Sequence, residues 1–237
     1  MDITPLGDSG LIVRVCNDFE NNAAESLSAV LETQRRLEAA AFPGVIESAV
    51  AYTTVALFYD PVRAVAAGAP RDAIFDWFQR KIETALRSET RKSERGREPR
   101  LIEIPVCYDR EFGVDLDEVS RRVNLPVDEI VRRHSAAAYC VNCVGFTPGF
   151  PYLSGLPAEL AVPRRATPRK EVPAGSVAIA GPQTGIYPVK SPGGWNVIGR
   201  TPVRLFDPQE IPPALLRAGD RVRFRAITRA EFEKEKR

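Results

Sequence analysis

Apolar and polar positions change period three times along this chain, and each change predicts a different architecture. Leu11–Val15 reads as a strand entered through Gly7-Asp8-Ser9-Gly10. Apolar residues then recur at helical spacing, placing Leu27, Val30, Leu31, Leu37 and Ala41 on one face of a long helix that ends before Pro43-Gly44. Asn22, with Glu25 three positions on, predicts a capping box at its start. Val45–Ala51 and Val55–Tyr59 form a strand pair hinged near Tyr52-Thr53-Thr54. A second helix from Asp72 carries Ile74, Phe75, Phe78, Ile82 and Leu86 on its buried face. Strand, helix, strand, strand, helix predicts a small α+β sandwich of ferredoxin-like type over residues 1–87.

The period is lost between Arg87 and Arg100, where RSETRKSERGREPR mixes both charges without hydrophobic repeat. Residues 88–100 therefore read as a solvated linker. Beyond it, residues 101–237 form a second domain. Leu101–Cys107 is a strand. Asp115 and Glu118 cap a short helix with Leu116, Val119 and Val123 on one side, and Pro126 opens another that aligns Ile130 with His134. The pair has a superficial likeness to a DNA-binding helix-turn-helix, but the second helix runs straight into a strand and its turn lacks glycine.

From Ala138 onward strands and turns dominate. Six of the sixteen glycines lie between Pro173 and Pro202, interleaved with prolines. No helix survives that alternation; short strands do, at Ser176–Ala180, Gly185–Val189 and Asn196–Ile198, turning at Gly181-Pro182 and Pro192-Gly193-Gly194. Arg221–Ile227 alternates again, with Val222, Phe224 and Ala226 on its dry face. Residues 228–237 read as a terminal helix or a frayed tail.

Charge and composition narrow the function classes. A net charge of +2 gives no argument for nucleic acid or for an anionic membrane surface, and no run approaches the ~20 apolar residues of a membrane span. Four cysteines without a visible secretory signal predict reduced thiols in a cytoplasmic protein. Cys140-Val-Asn-Cys143 has the spacing of a metal or redox pair. Strand alternation over Ala138–Phe146 would send the two thiols to opposite faces, so core thiols and no metal are expected.

Candidate chemistry gathers in two stretches. Gly145-Phe-Thr-Pro-Gly-Phe-Pro-Tyr-Leu153 sets the aromatics Phe146, Phe150 and Tyr152 around a Pro-Gly turn. They are either core or one wall of a cleft facing the Pro192–Trp195 turn. In that second stretch Gln183, Tyr187, Lys190, Ser191, Gly193, Gly194 and Trp195 sit at or near turns, and both turn glycines are expected in backbone conformations that a Cβ disfavours. Arg164, Arg165 and Arg200 lie nearby, and arginine forks suit carboxylates and phosphates, although each taken alone also fits a surface role. His134 is the only histidine, so any imidazole proton transfer must use it; the competing reading is a helix-end residue bonded to carbonyls. No Walker-type phosphate loop and no Ser-His-Asp order is present.

His134-Ser135-Ala136, GFTPGFPYLSGL, VPAGSVAIAGPQTGIYP and SPGGWNVIGRTP together resemble the allophanate hydrolase subunit 1 family, which includes KipI-type sporulation-kinase inhibitors and the B subunit of bacterial ATP-dependent 5-oxoprolinase. The match covers Leu101–Ile227 well and the first half more loosely. It implies an α+β chain with a cyclophilin-like β-barrel behind the small first domain. It also implies two partners: a C subunit of related barrel fold and a separate, lactam-hydrolysing A subunit. Under this resemblance the complex uses ATP, with Mg as its counter-ion, to open 5-oxoproline to glutamate. His134 would then relay a proton at a cleft lined by Phe146–Tyr152, Gln183, Tyr187 and Ser191–Trp195. Kinase inhibition and allophanate hydrolysis are the alternatives the shared motifs leave open.

Overall fold

The computed structural model describes residues 2–19, 22–88 and 99–235, and the chain divides into two compact units, Met1–Glu98 and Pro99–Arg237. The first holds strands β1 (Asp2–Pro5) and β2 (Gly10–Arg14), helix α1 (Ala23–Ala39), strands β3 (Val45–Ala51) and β4 (Thr54–Tyr59), and helices α2 (Pro61–Ala66) and α3 (Ile74–Arg87). Its sheet runs β1-β2-β4-β3 and is antiparallel throughout. Leu11 and Val13 of β2 and Val55, Leu57 and Tyr59 of β4 share a core with Val30 and Leu37 of α1 and Phe78 and Ile82 of α3. This is the ferredoxin-like α+β arrangement, with the N-terminal β1 beside β2 at the sheet edge.

Local chemistry explains where the sequence pattern misses. Strand β1 is short, polar and ends on Pro5, so only its pairing with β2 reveals it. Helix α2 begins at a cap the hydrophobic pattern does not show: Asp60 accepts from the backbone N–H of Val62 at 2.8 Å and Arg63 at 3.2 Å, with Pro61 in the first turn. The capping box expected at Asn22 does not form. Its side chain makes no cap bond, and only its carbonyl serves Ser26 N, at 2.8 Å. Leu31 is half-buried and Ala41 is exposed in a left-handed conformation (φ 46°) that closes α1. The Arg36 guanidinium donates to the carbonyls of Ala85, Leu86 and Ser88, satisfying the C-terminal end of α3.

The second unit contains β5 (Leu101–Cys107), α4 (Leu116–Val123), α5 (Val127–Ala136), β6 (Ala138–Val144), β7 (Pro151–Ser154), β8 (Arg169–Val172), β9 (Ser176–Ala180), β10 (Gln183–Ile186), β11 (Ser191–Gly193), β12 (Asn196–Arg200), β13 (Arg221–Ile227) and α6 (Arg229–Glu235). Seven strands close a barrel in the order β10-β7-β6-β13-β5-β12-β9, while β8 and β11 form a separate two-stranded ribbon. Only β5 and β13 run parallel; the other barrel pairs are antiparallel. Ile104, Val106, Tyr139, Val141, Leu153, Val177, Ile179, Ile186, Ile198, Val222 and Phe224 belong to one buried core, which Leu116, Val119 and Ile130 of α4 and α5 join. The two helices with a helix-turn-helix likeness thus bury their apolar faces on the barrel.

Of the expected linker, residues 89–98 lie outside the described residues. Arg100 is exposed but anchored. It pairs with Asp220, which is 1% exposed, and donates to Leu215 O at 2.9 Å. On β13 the alternation holds for Val222 and Phe224 and then breaks: Ala226 is exposed, and Ile227 is buried with Cys107, Phe112 and Phe232.

Candidate functional site

Strand β9, SVAIA, is buried at all five positions. Its larger side chains, Val177 and Ile179, enter the barrel core, whereas Ala178 and Ala180 join a second cluster with Phe150, Val172, Tyr187, Trp195 and Val197. Alanine on that face leaves room for rings to lie close to the sheet. Phe150 is the hub, with Phe146, Tyr152, Tyr187 and Trp195 placed at 5.7, 4.9, 5.2 and 5.6 Å between ring centroids, three of the four edge to face. Such pairs add about 0.5–1.5 kcal/mol each beyond burial and hold the rings in fixed relative orientations.

A cleft of about 370 Å³ opens on this cluster, lined by Phe146, Phe150, Tyr152, Arg164, Arg165, Pro168, Tyr187, Pro192, Gly193, Gly194 and Trp195. The structure therefore brings both aromatic-rich stretches to one concave surface. The expected sheet elements shift slightly: the strand expected over Gly185–Val189 is β10, ending at Ile186, and Ser191–Gly193 is itself a strand paired with β8.

The two turn glycines do different work. Neither takes a left-handed φ, contrary to the sequence expectation. A Cβ on Gly193 would meet the Tyr187 ring, with Cζ at 2.7 Å, so glycine there lets the phenol cross the strand. A Cβ on Gly194 would meet nothing nearer than Pro168 Cγ at 3.6 Å, an ordinary contact. The left-handed residue at the cleft is Phe146 (φ 70°), which is 63% exposed. Holding a bulky side chain in that conformation costs on the order of 1–3 kcal/mol, and such strain clusters at binding sites.

The polar end of the cleft is built on Asp115. Read from sequence as a helix cap, it makes no side-chain cap bond to α4. Its carboxylate, in a residue 2% exposed, instead accepts from Arg165 Nη1 at 2.7 Å, from Arg169 Nη1 and Nη2 at 2.8 and 2.7 Å, and from Val197 N at 2.7 Å. Arg165 N in turn donates to Gly194 O at 2.8 Å, tying the arginine loop to the turn. Arg164 is exposed and makes no ion pair among the described residues. Burial pushes the Tyr187 phenol above its usual pKa, opposed by a hydrogen bond from the Trp195 backbone.

Four expected site residues lie apart from the cleft lining, and so does His134. Lys190 pairs with Glu171 at 2.7 Å, and Arg200 Nε donates to Ala174 O at 2.8 Å; both line a different hollow with Gly175, Thr201, Arg204 and Phe206. Gln183 opens β10, and Ser191 is buried with its hydroxyl unpartnered among the described residues. His134 is wholly buried. Its Nδ1 meets Tyr108 Oη at 2.7 Å and its Nε2 meets Thr184 Oγ1 at 3.1 Å, while its ring stacks on Phe224 at 4.6 Å. Desolvation lowers its pKa to about 3.

The cysteine alternation argument is overturned by a bulge. The register shifts between Val141 and Cys143, so Cys140 faces Ser154 and Cys143 faces Tyr152, residues two apart on one side of β7. Both thiols consequently share a face. Among the described residues no group of three or more His, Cys, Asp or Glu is placed to hold a metal, and no helix is long and apolar enough to cross a membrane.

Three comparisons bear on this architecture. The chain is similar to the 5-oxoprolinase B subunit of Bacillus subtilis, 42% identical over 97% of this chain and 94% of that protein. The crystal structure of TTHA0988 superposes with a TM-score of 0.72 at 35% identity, covering 95% of this chain; this chain spans only 40% of that one. The urea amidolyase of Kluyveromyces lactis, 17% identical, covers 98% of this chain at a TM-score of 0.72 and shares the fold alone; this chain spans 15% of it. A family model described as carboxyltransferase domain, subdomain C and D, matches residues 1–216, and the chain belongs to that family.

Proposed function

We propose that this chain is the B subunit of an ATP-dependent 5-oxoprolinase, a component of a complex that opens 5-oxo-L-proline to L-glutamate. The observation that carries the reading is the aromatic cleft of about 370 Å³ with two arginines in its lining, in a chain 42% identical over 97% of its length to a protein of that name. A five-membered lactam is flat, small and apolar on both faces, which suits walls of Phe150, Tyr152, Tyr187 and Trp195. Its amide carbonyl is a poor electrophile, so ring opening needs activation of the carbonyl oxygen, and ATP supplies that activation.

The cleft fits the lactam and not the nucleotide. The cleft lining contains no carboxylate, and Asp115 beside it already accepts from Arg165, Arg169 and Val197, which leaves it poorly placed to hold a magnesium-bound polyphosphate. The nucleotide is thus held by the partners, the C component with its related barrel and the A component with the lactam-hydrolysing activity. Within this chain the rings exclude water from the lactam, and Tyr187 crosses Gly193 to close the wall. His134, bonded at both ring nitrogens inside the barrel, braces Thr184 of β10 and exchanges no proton with the cleft.

The test is reconstitution. Purified chain alone should release no glutamate from 5-oxo-L-proline and ATP, and should do so only with the A and C components. Turnover by the single chain, or an assembled complex that hydrolyses allophanate and leaves 5-oxoproline untouched, would sink the proposal.

A further inference from the structure

We propose that Arg165 forms a carboxylate-binding subsite at the polar end of the aromatic cleft, with Asp115 and Arg169 as the positioning residues that aim it. This rests on the cleft being the ligand site, and it adds an orientation: the carboxylate of the ligand lies against the arginine and its ring lies among the aromatics.

Three observations converge. The first is an orphaned donor. Arg165 lines the cleft, yet its Nε is buried without a hydrogen-bond partner among the described residues. A buried N–H left unpaired costs on the order of 1–3 kcal/mol, so such a group calls for an acceptor.

The second is which part of the fork is already used. Asp115 engages Arg165 at Nη1. Nε, on the edge whose two parallel N–H groups match the two oxygens of a carboxylate, carries no hydrogen bond among the described residues. Asp115 holds the guanidinium through Nη1 and does not engage the Nε–Nη2 edge.

The third is charge. Arg165 and Arg169 share the single carboxylate of Asp115, Arg164 stands at the rim, and the cleft lining contains no acidic residue. Glu118, near enough to feel Arg165, is already paired with Arg121 and Arg122, so cations remain in excess at the cleft, and a monoanionic ligand reduces that excess. Arg169 has a purpose in this scheme without touching the ligand. Its two hydrogen bonds to Asp115 fill acceptor positions that would otherwise draw the remaining Arg165 donors inward.

The experiment uses the full chain with arginine side chains labelled by ¹⁵N, titrated with 5-oxo-L-proline, 5-oxo-L-prolinamide, cyclopentanecarboxylate and inorganic phosphate. Carboxylates should shift the Arg165 Nε–H resonance, and the amide should not. Arg165→Lys keeps the charge but loses the fork, and should weaken carboxylate binding roughly 10- to 100-fold. Asp115→Asn should weaken carboxylate affinity while leaving the weaker amide affinity in place, a split that mere loss of structure does not give. If Asp115→Asn does not fold, Arg169→Gln provides the same split. Binding of cyclopentanecarboxylate but not 5-oxoproline, still dependent on Arg165, would uphold the subsite and remove the oxoprolinase reading. Carboxylates that leave the Arg165 Nε–H signal unmoved, or phosphate that shifts it in preference to them, would overturn the subsite even if the assembled complex turns over 5-oxoproline.

Discussion

The barrel interior around His134 and the outer cleft around Phe150 are both aromatic clusters with buried polar groups, separated by the thickness of one sheet. In the interior those groups are matched. Both imidazole nitrogens have partners, Tyr139 Oη donates to His134 O at 2.8 Å, and Thr184 Oγ1 donates to Ala178 O at 3.1 Å. In the cleft the matching fails at specific points: Arg165 Nε lacks an acceptor, Phe146 sits in a strained conformation, and Arg164 is without an ion-pair partner among the described residues. Unpaired buried donors also occur at Arg36 and Asn142; at the cleft the orphan coincides with a strained, exposed phenylalanine and an arginine without an ion-pair partner among the described residues. The matched cluster stabilises the barrel, and the mismatched one is where the proposed ligand would bind.

The largest expected effect breaks this contrast at the charge that supports the cleft. Asp115→Ala leaves Arg165 and Arg169 without their shared carboxylate. Breaking a buried ion pair costs about 3–5 kcal/mol; both guanidiniums are about a quarter to a third exposed, so solvent reduces this to about 2–3 kcal/mol. Chemical denaturation of the variant checks it.

His134→Leu comes next. It strands the hydroxyl of Tyr108, at on the order of 1–3 kcal/mol, while Thr184 keeps its bond to Ala178 O. The same residue predicts a pH slope. Its folded pKa of about 3 lies below the unfolded value of 6.5, so the unfolded chain takes up a proton first as pH falls. Stability from this group is full above about pH 6.5 and is lost progressively toward pH 3. Melting curves across that window should show the slope in the parent chain and lose this part of it in His134→Leu.

A paired substitution sharpens the view of the Pro192–Trp195 turn. Gly193→Ala drives a methyl into the Tyr187 ring and should cost about 1–3 kcal/mol. Gly194→Ala meets only ordinary contacts and should fall within about 0.5 kcal/mol of the parent. Equal effects would show that the ring does not cross at Gly193. Smallest is Phe146→Gly, which relieves a left-handed φ and should raise stability by about 1 kcal/mol or less while weakening ligand binding.

Much of this contrast was legible in the residues, and the reasons for the rest are physical. The alternation of large and small residues in Ser176–Ala180 encodes a strand buried on both faces. The pairing of Ile130 with His134 at helical spacing already placed the histidine on an apolar face. Its being the only imidazole drew attention to proton transfer instead. Asp115 was hidden by its position, because an acidic residue before a helix looks like a cap whatever its carboxylate does across 82 residues to Val197. The shared face of Cys140 and Cys143 depends on a bulge that periodicity does not report. Lys190 and Arg200 were grouped with the cleft by proximity in sequence, and ribbon pairing and strand direction carried them to another surface.

The central claim is that the outer cleft, and not the barrel interior, carries the function. Its most direct test is kcat/KM for 5-oxo-L-proline in the complex assembled with Phe146→Ala or with His134→Gln, below the melting point of each. Phe146 is exposed, so its truncation leaves the fold intact. The account predicts at least a roughly 10-fold loss for Phe146→Ala and a value within a few-fold of the parent for His134→Gln. A loss on the order of 10²–10⁴ for His134→Gln, the range of general acid–base catalysis, with Phe146→Ala unaffected, would contradict it.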